Sequence, residues 1–117
     1  MIIGSNFDLY AKHISRTKGY GVYSRDYISS GSVVETAYCI PVSSYEWEDF
    51  YYGDPKVLPL GFGSIYNHSD DANILWRKDK DDYIIRFIAR KDIEVGEEIC
   101  HNYGKLYWKE RNKKKLI

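Results

Sequence analysis

Residues 60–69 read Leu60-Gly61-Phe62-Gly63-Ser64-Ile65-Tyr66-Asn67-His68-Ser69, and Asp70-Asp71-Ala72-Asn73 follows. The Asn-His-Ser step sets side by side an amide that both donates and accepts, an imidazole and a hydroxyl. Taken alone, the step also fits a turn asparagine beside a packed histidine. The tripeptide spells a glycosylation sequon, which matters only on a secretory route. A serine-hydrolase reading fails, because no Gly-x-Ser-x-Gly elbow is present.

Two further segments lie on either side. Towards the N-terminus, Lys18-Gly19-Tyr20-Gly21-Val22-Tyr23 puts two glycines around a tyrosine, where the missing Cβ atoms let backbone approach a ligand. A plain hairpin turn explains this segment equally well, and it lacks the third glycine of a dinucleotide fingerprint. Towards the C-terminus, Val95-Gly96-Glu97-Glu98-Ile99-Cys100-His101-Asn102-Tyr103-Gly104 reads as a turn and a short strand ending in tyrosine and glycine. Cys100 and His101 are neighbours on that strand, so they point to opposite faces and cannot grip one metal ion together.

Around these segments the chain is a series of short β-branched and aromatic runs. Strands are expected over Leu9–Ile14, Tyr20–Ser24, Ser32–Tyr38, Asn73–Lys78, Tyr83–Ala89 and Glu98–Asn102. Turn residues separate them, including Ser29-Ser30-Gly31 and Asp79-Lys80-Asp81-Asp82. Ser43 and Glu46 form a capping box opening a short helix to about Tyr52, and a second short helix is expected over Leu106–Lys113. Asp26-Tyr27-Ile28-Ser29-Ser30-Gly31 and Asp92-Ile93-Glu94-Val95-Gly96 echo each other as two similar turns. The class is mostly β: several small sheets with one or two short helices.

The 117 residues suit one domain, and 44% hydrophobic against 29% charged residues is a globular composition rather than a disordered one. Twelve tyrosines suit walls that are apolar with tips that hydrogen-bond. No stretch has the length and apolarity of a membrane helix, so no membrane partner is expected. Cys39 and Cys100 make no disulfide framework, which fits reduced thiols in an intracellular protein. The net charge of zero divides unevenly. Residues 105–117 carry +5, leaving −5 over residues 1–104. An acidic body attracts a basic peptide. The basic end, Lys109–Lys115, is either a solvated tail or a weakly supported nucleic-acid contact.

In this order and spacing, the three segments resemble the SET-domain protein lysine methyltransferases. The closest likeness is to the minimal stand-alone SET proteins of viruses and bacteria, which lack flanking pre-SET and post-SET modules. The likeness runs from about residue 9 to residue 108, leaving 109–117 as a basic tail of one 1–117 domain. It implies a β-clip-like SET fold, with the segments of Asn67 and Tyr103 crossing in a C-terminal pseudoknot. It implies S-adenosylmethionine as cofactor, bound along Lys18, Gly19, Tyr20, Gly21 and Val22, with Tyr66 and Tyr103 alongside. Asn67 would bond the cofactor's amino group, the main chain of His68 its adenine edge, and Trp108 would stack on the adenine. The implied partner is a basic protein segment such as a histone tail. A homodimer would complete a substrate surface that the missing modules otherwise supply. The implied location is the host nucleus for a viral chain and the cytoplasm for a bacterial one.

The chemistry accounts for these residue types. Methyl transfer from a sulfonium to an amine is an in-line displacement, so positioning is most of the catalysis. A free lysine has a pKa near 10.4, and deprotonating it at pH 7 costs roughly 4.6 kcal/mol. An aromatic channel desolvates the ammonium, and the sulfonium repels it. Both lower that pKa without a carboxylate base. Tyr103 is the expected catalytic residue. Tyr20, Tyr66, His101, Tyr103 and Tyr107 are expected to wall the channel, with an aromatic from Phe50, Tyr51 and Tyr52. His101 stands two residues before Tyr103, where many members carry the Phe or Tyr that helps set how many methyl groups are added. Ala72 replaces a proline common before the asparagine at 73, and a slightly looser turn is expected there. A non-catalytic SET-fold module holding peptide or cofactor is the alternative function.

Overall fold

The computed structural model describes residues 2–41, 52, 57–79 and 83–103. Among them all regular structure is strand: β1 (Gly4–Ser5), β2 (Leu9–Ser15), β3 (Gly19–Ser24), β4 (Val33–Pro41), β5 (Val57–Pro59), β6 (Asn67–His68), β7 (Ile74–Lys78), β8 (Ile84–Ala89) and β9 (Glu98–His101). The six expected strands are present, with ends shifted by one to three residues. The expected helices at 43–52 and 106–113 and the basic tail lie outside the described residues. Only Tyr52 is described there, bridged antiparallel to Val57. Among the described residues no helix is long and apolar enough to cross a membrane.

Two sheets form. One runs β1-β4-β8-β7 with β5 also on β4, and the other runs β2-β3-β9-β6. The strands of the first are rich in Val, Ile and Phe, and β8 pairs on both sides, with Ile84, Ile85, Phe87 and Ala89 buried. Val22, Val34, Cys39, Ile85, Phe87 and Ile99 are completely buried. Each such side chain contributes about 1.5–3 kcal/mol of burial free energy.

The two echoing turns pair with each other. Ile28 and Ile93 exchange both backbone hydrogen bonds, at 3.0 and 2.8 Å, and both side chains are fully buried. The Asp92 carboxylate caps the Ser30 N–H at 2.8 Å. The two turns clamp to each other through Ile28 and Ile93 and are not a repeat architecture.

β9 positions the site. Its Val22 and Tyr23 partners lie antiparallel on β3, whereas β6 runs parallel to it, with Asn67 opposite Cys100 and His68 opposite His101. The chain then turns through Ser69–Ala72 and returns to the same strand. Ser69 N–H donates to His101 O, and Asn73 N–H donates to Cys100 O. The Asn73 side chain completes the clasp by accepting from Cys100 N–H at 2.8 Å and donating to Glu98 O at 2.8 Å. Ala72 is buried, and this turn is pinned at both ends by these bonds.

Candidate active site

The parallel β6–β9 pair carries the Asn-His-Ser step and the C-terminal tyrosine into one place. Asn67 is half-buried, and its amide nitrogen donates to Tyr20 O at 3.0 Å and to the Glu98 carboxylate at 2.8 Å. All three signature segments therefore meet at this asparagine. Gly21 lets the Ile14 and Glu98 side chains close over β3. A Cβ there would come within 2.6 Å of Ile14 and 2.7 Å of Glu98.

Tyr103 is held at both ends. Its N–H donates to His68 Nδ1 at 2.9 Å, and its hydroxyl donates to Tyr66 O at 3.0 Å. Because His68 Nδ1 accepts, the ring proton sits on Nε2, which faces Asp70 Oδ1 at 2.9 Å. A hydroxyl whose proton is committed to a carbonyl presents its oxygen as an acceptor. The Tyr103 ring lies between two imidazoles, 5.2 Å from His68 and 4.7 Å from His101, centroid to centroid.

A buried polar network stands behind this pair. Tyr66 is 2% exposed; its ring packs on Phe87 at 4.8 Å and its hydroxyl donates to Glu35 at 2.6 Å. The other Glu35 oxygen accepts the Phe62 N–H at 2.9 Å. Burial raises the Glu35 carboxyl above the usual carboxylate range, and these two donors only partly offset it. Burial, with Glu35 close by, likewise pushes the Tyr66 phenol well up. Tyr52 donates to Gly63 O at 2.8 Å and meets His101 Nε2 at 2.9 Å. Burial drives His101 down to about 3, helped by neighbouring His68 and only weakly opposed by the Asn102 backbone. Burial and Glu98 push the Cys100 thiol up to about 12, so it is no nucleophile at neutral pH.

The expected site residues thus fall into groups. Asn67, His68, His101 and Tyr103 come together, with the Tyr20 and Tyr66 carbonyls. The Tyr66 ring is turned into the core, because its hydroxyl is satisfied by Glu35. Tyr20 is 57% exposed and its ring packs edge-on to His13 at 5.4 Å, so it is the carbonyl of Tyr20 that reaches the cluster. Lys18 is exposed in the β2–β3 turn, where its N–H bonds Ser15 Oγ. Gly19 opens β3 and Val22 is core. Phe50, Tyr51, Tyr107 and Trp108 lie outside the described residues.

Four participants escaped the sequence reading: Glu35, Tyr52 as the partner of His101, Asn73, and the His68 side chain as the anchor of Tyr103. Only Glu35 left a signal, as a lone carboxylate inside an apolar strand.

Residues 19–104 match the model of the SET domain family. The chain is 29% identical over 103 residues to the histone-lysine N-methyltransferase, H3 lysine-37 specific, of Schizosaccharomyces pombe. That match covers 78% of this chain and 70% of the relative. A crystal structure of a Plasmodium falciparum protein described as a histone methyltransferase superposes with a TM-score of 0.69 at 27% identity. It covers 88% of this chain and 98% of that one.

Proposed function

Since this chain belongs to the SET-domain family, we propose that it moves a methyl group from S-adenosylmethionine to the side-chain amine of a protein lysine, with histone H3 as the substrate. The observation that carries the reading is the Tyr103 hydroxyl fixed on the Tyr66 carbonyl, one residue from the asparagine that ties β3 to β9.

The acceptors around Asn67 fit a cationic ligand that carries an amino group. Tyr20 O, the Glu98 carboxylate and the Asn67 amide oxygen are acceptors gathered at one point. Bound there, S-adenosylmethionine would supply an activated methyl group on a sulfonium sulfur. The Gly19–Val22 backbone, Asn67 and the His68 main chain would hold it, with Trp108 on the adenine.

For the lysine, the task of the chain is to desolvate and to aim. His68, His101, Tyr103 and the core rings behind them favour the neutral amine over the ammonium. The Tyr103 oxygen orients an amine N–H and stabilises the charge that develops at transfer. Proton loss to water then suffices, and no side-chain base is called for. The −5 charge of residues 1–104 favours approach of a basic tail. Residues 9–108 would form the SET core and 109–117 a basic tail.

The test uses methyl-labelled S-adenosylmethionine with recombinant core histones, followed by hydrolysis and amino-acid analysis. Labelled methyllysine from H3 is expected, and Tyr103→Phe should abolish it. Tight cofactor binding by calorimetry with no labelled histone would make the chain a binding module. Equal labelling by Tyr103→Phe would remove Tyr103 from the chemistry.

A further inference from the structure

The Asn67 amide has two hydrogens, and both are taken. Its Nδ2 donates to Tyr20 O at 3.0 Å and to Glu98 Oε2 at 2.8 Å. A carbonyl and a carboxylate only accept, so these partners fix which way the amide faces. The nitrogen points to β3 and β9, and Oδ1 is left over, with no hydrogen-bond partner among the described residues. The bond to Glu98 is the stronger of the two, because its acceptor is charged. It also polarises the amide, which makes Oδ1 a better acceptor.

Glu98 comes this close because residue 21 has no side chain. A Cβ on Gly21 would lie 2.7 Å from the same Oε2 and 3.2 Å from Glu98 Cδ. Backbone conformation does not call for a glycine there. Gly19 has φ +70, whereas Gly21 is not among the positive-φ glycines and pairs with Lys12 inside the β2–β3 ladder. The space is what the glycine provides.

Resting on the function proposed above, we infer that Glu98 is a positioning residue for cofactor binding. It enters the slot left by Gly21 and holds the Asn67 amide with Oδ1 turned to the ammonium group of the cofactor. Reversed, the amide would set its N–H groups against that ammonium, donor against donor, and leave its oxygen facing Tyr20 O and Glu98. The second glycine of Gly19-Tyr20-Gly21 thus makes room for a carboxylate of the chain itself.

Calorimetry tests this with S-adenosylhomocysteine and with the analogue in which hydrogen replaces its amino group, so that no methyl group moves. The wild type should bind the analogue roughly 10- to 100-fold more weakly. Glu98→Gln keeps the size of the side chain and removes its charge. It should weaken S-adenosylhomocysteine roughly 5- to 10-fold and leave the analogue within about twofold. A purely structural loss would weaken both ligands alike. Gly21→Ala drives the carboxylate from its slot and should match the loss in Glu98→Gln. In a Glu98→Ala chain no carboxylate remains to displace, so adding Gly21→Ala should cost about twofold or less. Thermal melts check that each variant is folded. Equal wild-type affinity for the two ligands would overturn the inference, as would parallel losses or no loss in folded Glu98→Gln. A full further loss from Gly21→Ala in the Glu98→Ala chain would overturn it too. Each of these results leaves the methyltransferase reading standing. A folded wild type that binds neither S-adenosylmethionine nor S-adenosylhomocysteine would overturn both.

Discussion

Asn73→Ala removes three hydrogen bonds at once, because the Asn73 side chain accepts from Cys100 N–H at 2.8 Å and donates to Glu98 O at 2.8 Å and Glu97 Oε2 at 3.1 Å. The residue is 4% exposed, so water does not replace these partners, and a buried N–H and C=O are left unpaired. Each unpaired buried group costs about 1–3 kcal/mol. The charged Glu97 end is nearer the surface and adds little. The expected loss is roughly 3–5 kcal/mol, a large share of the ~5–15 kcal/mol that stabilises a typical domain. With an unfolding entropy of ~2.1 cal/mol/K per residue over a chain of this length, the melting midpoint should fall by about 12–20 °C. Asn67→Ala is the control. It also loses two bonds to the β3–β9 pair, but from a half-buried position where water can enter. It should cost about 1 kcal/mol of stability while weakening cofactor binding. Scanning calorimetry of both variants decides the matter. A midpoint for Asn73→Ala within about 3 °C of the wild type would refute the reasoning, as would an equal fall in Asn67→Ala.

Two further outcomes follow from single residues. Gly61 has φ +70 and sits where a Cβ would run into the Glu35 carboxylate, so Gly61→Ala should lose about 3 kcal/mol in denaturant unfolding. Gly96→Ala, at φ +82 with open space around it, should lose only about 1 kcal/mol, and a similar loss in both would exclude the Glu35 contact as the cause. His101 titrates near 3 in the fold and near 6.5 when unfolded, so between those values the unfolded chain binds the extra proton. Stability should hold above about pH 6.5 and fall as the pH drops from there towards 3, by at most roughly 5 kcal/mol. Urea midpoints measured across that window should show a shallower decline in His101→Phe, and parallel curves would contradict the assignment.

Runs rich in β-branched and aromatic residues, such as Ser32–Tyr38 and Tyr83–Ala89, announced the long strands, because such enrichment over five or more residues is a signal that sequence carries. β1, β5 and β6 span two or three residues each, too few to show any period, and exist only because a longer strand offers an edge. Asn67 and Tyr103 were legible through the spacing of three motifs. Tyr52 and Asn73 were not, because their roles depend on which backbone groups pass beside them, and that is decided by the β6–β9 crossing rather than by neighbours in sequence. Tyr66 shows the same gap from the other side. Its aromatic character suggested a wall, while the buried carboxylate 31 positions earlier turns the ring into the core and leaves the carbonyl as its contribution.

The central claim is that the Tyr103 hydroxyl, set by the Tyr66 carbonyl, aligns a lysine amine for methyl transfer. Single-turnover rates with saturating S-adenosylmethionine and histone H3 test it most directly, comparing the wild type with Tyr103→Phe. A slowing of about 10²-fold or more, with cofactor affinity and melting midpoint unchanged, is the predicted result. A folded Tyr103→Phe protein that transfers methyl groups at the wild-type rate would contradict it.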